Sequence, residues 1–266
     1  MGYNYPKEIA IYFRDSGLIK GSMPVSRFMV LAILGGAFIS LGGLLTVIVA
    51  GGIPGIGAEN PGLIKFVAGA LFPVGLIMVA VSGADLFTSD CTAMTLPYLQ
   101  KQISIKTLIK VWVLSYIFNF VGAQLIAYVF VAETGLLYGD SLEYLYNYTD
   151  KKMNQDFLSV FIKGVGANWL VCLGMWQGYA AKDVVGKCIG IWIPVMIFVT
   201  LGFEHSIANM FFIPTAIYMG SSITWGEFII NNLIPATIGN IIGGVVFVAC
   251  AYWFVYMREN KPQSEK

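Results

Sequence analysis

Charged side chains are scarce in this sequence, and their scarcity indicates the class of protein. Lysine, arginine, aspartate and glutamate make up only 12% of the 266 residues, whereas apolar residues make up 57%. This balance is typical of integral membrane proteins and not of soluble domains. The net charge of +1 comes from scattered basic residues without a dense run, so we expect no nucleic acid partner.

Histidine and cysteine are also rare, and this argues against metal, haem and redox chemistry. One histidine cannot supply a bis-histidine haem or most of a zinc site. The four cysteines lie in apolar stretches without the close paired spacing of a metal or redox motif. No nucleophile with a base and an orienting partner can be assembled either, so we expect no cofactor and no enzyme.

Long apolar runs predict an all-α protein with six transmembrane helices. Runs long enough to cross about 30 Å of hydrocarbon occur near residues 28–50, 66–99, 107–131, 157–181, 188–219 and 233–257. Twelve of the sixteen lysines and arginines then fall on the side that holds both termini, which predicts that the termini are cytoplasmic. We expect a multi-pass protein of the cell inner (plasma) membrane.

Three parts of the chain follow from this topology. Residues 1–27 form a cytoplasmic segment with a helix along the inner interface, residues 28–257 form the membrane domain, and residues 258–266 form a cytoplasmic tail.

The membrane domain contains an internal repeat with halves near 28–132 and 157–257. At offsets of 119 to 121 the matching segments are 73–79 with 194–199, 83–85 with 202–204, and 119–122 with 240–243. Each half holds three spans, an odd number, so the second half enters the membrane inverted. Inverted 3+3 repeats are typical of transport folds.

The repeat pairs two interruptions, one at 83–89 in the second span and one at 201–206 in the fifth. The second interruption holds the only histidine, His205, at a depth where polar groups are expensive and commonly functional. Paired broken helices indicate a substrate path at the midplane. Each resumed helix aims free N–H groups inward, which favours an anion.

Three stretches resemble the formate/nitrite transporter family: Ala-Asp-Leu-Phe-Thr-Ser at 84–89, Ala-Asn-Trp-Leu-Val-Cys at 167–172, and Gly-Phe-Glu-His-Ser-Ile-Ala-Asn-Met at 202–210. The resemblance covers about 28–257. It implies a homopentamer in a lipid bilayer, with aquaporin-like protomers that each have a pore. It also implies that small monovalent anions such as formate, nitrite and hydrosulfide are the substrates.

The resemblance also implies roles for particular residues. The substrate pathway matches Thr88, His205 and Asn209. The outer constriction matches Phe72, Val171 and Phe198, and the inner constriction matches Leu76, Leu86 and Phe87. A vestibule lysine matches Lys152. Asp85 and Glu204 occupy symmetry-related positions, so we expect both carboxylates to bond the broken backbone.

Each role has a plainer alternative. His205 is then a structural histidine bonded to Thr88 or to a backbone carbonyl, and Thr88 is a helix cap. The phenylalanines are then ordinary packing, and Lys152 is a solvated loop charge.

The identity of the anion rests on one departure from the family pattern. Asp90 follows Thr88 and Ser89 where formate and nitrite members carry uncharged residues, and together with Lys20 and Lys152 it resembles the hydrosulfide channel branch. Hydrosulfide therefore ranks first, formate second and nitrite third.

Two other transport functions remain open. A proton-coupled formate or nitrite transporter differs from a channel only in coupling. An aquaporin-like neutral-solute channel lacks support because its paired Asn-Pro-Ala signature is absent, and the single Asn60-Pro61-Gly62 lies in an outer loop.

Overall fold

The computed structural model describes residues 2–258, and within this range the chain is helical without strands. The predicted tail, apart from its first residue, lies outside the described residues. In chain order the helices are α1 Pro6–Ser22, α2 Val25–Gly51, α3 Pro54–Glu59, α4 Pro61–Leu71, α5 Val74–Ser82, α6 Phe87–Ala93, α7 Thr95–Leu99, α8 Ile105–Gln124, α9 Gly139–Met153, α10 Phe157–Ala180, α11 Val184–Thr200, α12 Ser206–Tyr218, α13 Trp225–Glu227 and α14 Ile234–Gly244. There are also four π-helical segments. Leu125–Ala132 follows α8, Phe228–Leu233 follows α13, and Val245–Cys250 and Trp253–Met257 both follow α14.

Five continuous helical stretches among the described residues are long and apolar enough to cross a membrane. They are Val25–Gly51, Pro61–Ser82, Ile105–Ala132, Phe157–Ala180 and Trp225–Met257. The predicted fifth span is different, because it consists of α11 and α12, with 17 and 13 residues, in series. At 1.5 Å per residue neither half-helix crosses alone, but the two together can. The chain is a multi-pass membrane protein.

Both predicted interruptions are present, although the first is shorter than expected. We expected it at 83–89, but α5 ends at Ser82 and α6 begins at Phe87. The Phe87 backbone N–H donates to the Asn119 side-chain oxygen at 2.9 Å, so the helix already has a cap there. Each break opens on a left-handed glycine, Gly83 at φ 76° and Gly202 at φ 71°, a conformation that other residues adopt at a cost.

The inverted repeat is visible in the hydrogen bonds of two asparagines. Asn119 on α8 donates to the Asp85 carbonyl at 2.9 Å and accepts from the first residue of α6. Asn240 on α14 donates to the Glu204 carbonyl at 2.9 Å and accepts from Ser206, the first residue of α12, at 2.8 Å. Each asparagine also donates to a carbonyl of its neighbouring long helix, α2 or α10. The two halves therefore fix their broken helices in the same way.

Helix α1 packs beneath the first break. Its buried residues include Ile9 and Phe13, and their apolar cluster includes Ala93 and Trp176. Gly17 lies directly against the Ala93 backbone carbonyl, a contact that any side chain at this position would prevent. This close approach brings the last turn of α1, with Lys20, to the broken second span.

Candidate functional site

The two breaks meet at a contact between Thr88 and His205. The Thr88 hydroxyl lies 3.0 Å from His205 Nε2, although the residues are 117 positions apart. Both side chains are buried, with exposed fractions of 0% and 2%. The structure thus joins the two central residues of the predicted pathway, one from each half of the repeat.

The hydrogen bonds of His205 define its protonation state. Its Nδ1 accepts the Ala208 backbone N–H at 3.1 Å, so His205 is the side-chain cap of α12. A nitrogen that accepts a hydrogen bond carries no proton, so the proton of the neutral ring resides on Nε2. His205 Nε2 then donates to the Thr88 oxygen, and the Thr88 hydroxyl hydrogen is left to donate elsewhere.

Thr88 is held by its backbone and does not cap a helix. Its carbonyl accepts from the Asn168 side-chain amide at 3.0 Å. The cap of α6 is Asn119, so the alternative role for Thr88 is wrong. Within residues 2–258 the Thr88 hydroxyl has no side-chain partner besides His205.

The second break lies beside a charged cluster that we call the α9 cluster. Lys152 from α9 forms an ion pair with Glu204 at 2.9 Å and is only 5% exposed, so the alternative of a solvated loop charge is wrong. The Glu204 carboxylate also accepts from Gln155 at 3.0 Å, from Asn209 at 2.7 Å and from Asn232 at 3.3 Å. Burial lowers the pKa of Lys152, but the Glu204 carboxylate and the Tyr148 side chain together raise the pKa overall.

The first break lies beside a corresponding cluster that we call the α1 cluster. Lys20 from α1 forms ion pairs with Asp85, at 2.7 Å, and with Asp90. The Ser115 hydroxyl donates to the second Asp85 oxygen at 2.9 Å. Burial lowers the pKa of Lys20, but the two carboxylates raise it overall.

These clusters correct the prediction for Asp85 and Glu204. Their carboxylates do not bond the broken backbone, because the amides of Asn119 and Asn240 already do so. The carboxylates instead pair with the buried Lys152 and the partly buried Lys20, two charges that would be unfavourable at these positions without a partner. The two acids are symmetry-related, as expected, but each forms an ion pair with a lysine.

Aromatic rings close the space between His205 and the α9 cluster. Phe72 and Phe198 meet edge to face with ring centres 5.9 Å apart, and Phe198 stacks on the His205 ring at 5.8 Å. The cavity between these rings and Lys152 has a volume of about 10 Å³. That volume holds a single water molecule at most. Val171, the third residue of the predicted outer constriction, is also buried.

The residues of the predicted inner constriction are buried in the same apolar core. Leu76 lies on α5, Leu86 is the residue before α6, and Phe87 packs edge to face on Tyr116 at 4.9 Å. Beyond them is a cavity of about 150 Å³ that reaches Lys20 and is lined by polar and apolar groups. The central contact therefore lies between apolar side chains, with one charged cluster beyond each set.

Sequence reasoning missed several polar residues of this site. Asn119 and Asn240 appeared in the repeat alignment, which was the available signal, but their capping role requires the fold. Gln155 gave no signal. Asn232 lies in the π-helical segment Phe228–Leu233, where one extra residue per turn alters which side chains face inward, so helical spacing could not identify it.

Comparisons with known proteins agree on one family. A family model described as formate/nitrite transporter matches residues 7–254. A probable formate transporter of Methanothermobacter thermautotrophicus is 44% identical over 256 residues, covering 91% of this chain and 93% of that protein. The formate channel BtFdhC of Bacillus thuringiensis is 39% identical over 261 residues, covering 98% of each. A solved pentameric formate channel with formate bound matches with a TM-score of 0.77 at 30% identity, covering 88% of this chain and 98% of that one.

Proposed function

This chain belongs to the formate/nitrite transporter family, and from that membership we propose that it passes small monovalent anions, with formate as the main substrate, along a path through Thr88 and His205. The observation that carries the proposal is the buried contact of these two side chains between apolar constrictions. Both are polar side chains at mid-membrane depth, where burial of a polar group costs free energy and such groups commonly mark a substrate path.

Donated hydrogen bonds stabilise the anion at the centre. An anion that enters the apolar constriction loses water at a cost of several kcal/mol or more. Because His205 Nε2 donates to Thr88, the Thr88 hydroxyl hydrogen is available to the anion. A hydrogen bond to a charged group contributes about 1.5–3 kcal/mol, so the centre offsets part of the dehydration cost.

A second proton on His205 is unfavourable in the resting state. It would occupy Nδ1 and break the cap that Ala208 N–H forms with this nitrogen. Losing such a cap costs about 0.5–2 kcal/mol. The resting centre is thus a neutral donor site, and a proton carried by the substrate is acquired from water before entry and not from His205.

The neutral Lys152–Glu204 pair of the α9 cluster allows small anions to approach without trapping them. Lys152 attracts an anion over a short range, while Glu204 2.9 Å away cancels most of its charge. A free buried cation would bind the anion tightly and slow its release. Phe72 and Phe198 must separate for passage because the cavity beside them holds at most one water. Bulky and multiply charged anions are therefore excluded.

Formate replaces hydrosulfide as the first candidate. The hydrosulfide ranking rested on Asp90, but the Asp90 carboxylate pairs with Lys20 and does not contact the central Thr88 and His205 side chains. Two relatives that align along nearly the whole chain are named for formate. Hydrosulfide and nitrite remain as second and third candidates.

The proposal includes an oligomeric state and an orientation in the membrane. The likeness to a pentameric channel supports a homopentamer. The excess of lysine and arginine on the α1 side supports cytoplasmic termini in the inner membrane, so the α1 cluster lies at the cytoplasmic mouth and the α9 cluster at the outer mouth.

The test is anion flux into proteoliposomes, with formate, nitrite and hydrosulfide offered separately. Thr88→Val removes the central hydroxyl at nearly constant shape, and Thr46→Val is the matched control because Thr46 is a buried threonine bonded within its own helix. We expect formate flux in the wild type and the control, and a loss of about tenfold or more in Thr88→Val. Equal flux in all three proteins would refute the central role, and hydrosulfide flux without formate flux would reverse the ranking.

The same vesicles test coupling. A passive channel equilibrates formate, whereas a proton-coupled transporter accumulates it against its gradient when a pH step is applied. We expect formate only to equilibrate. Accumulation above the level that formic acid reaches by equilibrating across the pH difference would show that the protein is a proton-coupled transporter and not a channel.

A further inference from the structure

The two charged clusters differ at one symmetry-related position. Asp85 corresponds to Glu204 at an offset of 119, and at the same offset Asp90 corresponds to Asn209. In the α9 cluster the Asn209 amide donates to the Glu204 carboxylate at 2.7 Å. In the α1 cluster a carboxyl group stands in place of that amide. A carboxyl group can donate to its neighbour only when it carries a proton.

The charges of the α1 cluster do not balance if both acids are ionised. Lys20 is the only basic side chain within ion-pair distance of Asp85 or Asp90 in residues 2–258. Ser115 donates to Asp85. The other titratable groups that face the cluster are the phenol of Tyr179 on α10 and the thiols of Cys91 and Cys172, and none of them is a basic group. One positive charge therefore meets two acids.

Burial makes this imbalance expensive. The Asp90 side chain is 0% exposed, and its Oδ2 has no hydrogen-bond partner in the described chain. Both acids bind the same Lys20 nitrogen, so their nearer oxygens are at most about two hydrogen-bond lengths, or about 5 Å, apart. Two carboxylates this close with one cation are stable when one of them keeps a proton, as in carboxylate dyads that share a site.

We propose that Asp85 and Asp90 form a proton-binding dyad at the cytoplasmic mouth, with one proton shared between their carboxyl groups while Lys20 is docked. With the proton the cluster of two acids and one lysine is neutral, like the α9 cluster. Without it the cluster carries one net negative charge. The proton exchanges with water through the cavity of about 150 Å³ that Lys20 and Ser89 line.

The dyad makes flux depend on cytoplasmic pH, and this consequence rests on the proposed function. Loss of the proton places an uncompensated negative charge at the mouth through which the anion passes. One unit charge a few ångströms away, at the effective dielectric of a partly buried site, slows an anion by about tenfold or more. Flux therefore falls as the cytoplasmic pH rises through the titration of the dyad.

Infrared spectroscopy of the pentamer in lipid tests the dyad directly, without transport. A protonated carboxyl group has a carbonyl-stretch band that a carboxylate lacks. We expect this band in the wild type at mildly acidic pH and its loss at alkaline pH. It should be absent across this pH range in Asp90→Asn and also in Asp85→Asn, a second variant in case one fails to fold. Asp15→Asn, a half-exposed acid of α1 paired with Arg14, is the matched control that keeps the band.

Formate flux at fixed outer pH and varied inner pH tests the consequence. The wild type and Asp15→Asn should lose flux as the inner pH rises, and Asp90→Asn should have a flat profile, because its single Lys20–Asp85 pair stays neutral over the same pH range. A missing band in the wild type, a band that persists in both dyad variants, or an Asp90→Asn profile like that of the wild type would overturn the dyad. A normal band in a protein that passes no anion would leave the dyad intact and overturn the proposed function.

Discussion

Replacement of His205 separates the two tasks that the structure gives to its ring. Nδ1 caps α12 by accepting from Ala208 at 3.1 Å, and Nε2 donates to Thr88 at 3.0 Å. Asparagine is among the best capping residues, so His205→Asn keeps the first task. Its shorter side chain does not reach Thr88, so the second task is lost. His205→Ala loses both.

The structure gives each loss a magnitude. Removal of a side-chain cap destabilises a helix by about 0.5–2 kcal/mol, so His205→Ala should unfold at a lower temperature than His205→Asn. Without the Nε2 donor the Thr88 hydroxyl hydrogen is no longer directed to the anion. Loss of a hydrogen bond to a charged group costs about 1.5–3 kcal/mol, so formate flux should fall about ten- to hundredfold in both variants.

Thermal unfolding of the detergent-solubilised protein and formate flux in proteoliposomes measure these two effects separately. The expected pattern is equal loss of flux but unequal loss of stability. If His205→Asn is as unstable as His205→Ala, the capping role is wrong. If His205→Asn carries formate at the rate of the wild type, with the same pH response, the central donor role is wrong.

Three further predictions concern the scaffold and the α9 cluster. Asn240→Ala removes three hydrogen bonds and leaves the Ser206 N–H and the Glu204 carbonyl at the break without this partner, at about 1–3 kcal/mol each, and should lower the unfolding temperature of the protein. Gly36→Ala places a methyl group against the α8 backbone and should prevent normal assembly on size exclusion, whereas Gly62→Ala, which meets open space, should assemble normally. The pKa of Lys152 is raised above its usual 10.5, so its pairing with Glu204 contributes full stability below that pH and loses it only above. The destabilisation by Lys152→Met combined with Glu204→Gln, which leaves no lone buried charge, should thus be constant from neutral pH to about pH 9 when it is measured by thermal unfolding.

The central contact could be predicted because it depends on patterns that the sequence carries at short range. The glycines of both breaks and their common offset indicate where the spans are interrupted, and Thr88 and His205 follow each glycine within six residues. Two broken helices in inverted halves must then meet at one depth. Family resemblance supplied the rest of that prediction.

The surrounding contacts could not be predicted because they join distant segments. The start of α6 is fixed by Asn119, 32 positions away, so local propensity placed it too late. Lys20 reaches Asp90 across 70 positions, and only the docking of α1 on Ala93 brings them together. Asn232 faces inward because it lies in a π-helical turn, and no residue pattern in the sequence indicates such a turn.

The capping asparagines have a consequence for what each half of the chain can do alone. Asn119 bonds only to its own half of the repeat, and Asn240 bonds likewise within the other half. Each half therefore contains everything needed to end and restart its broken helix. Neither half contains the proposed site, because Thr88 and His205 come from opposite halves. The protomer resembles a fused antiparallel dimer, in which structure is local to each partner and the proposed site lies at the contact between them.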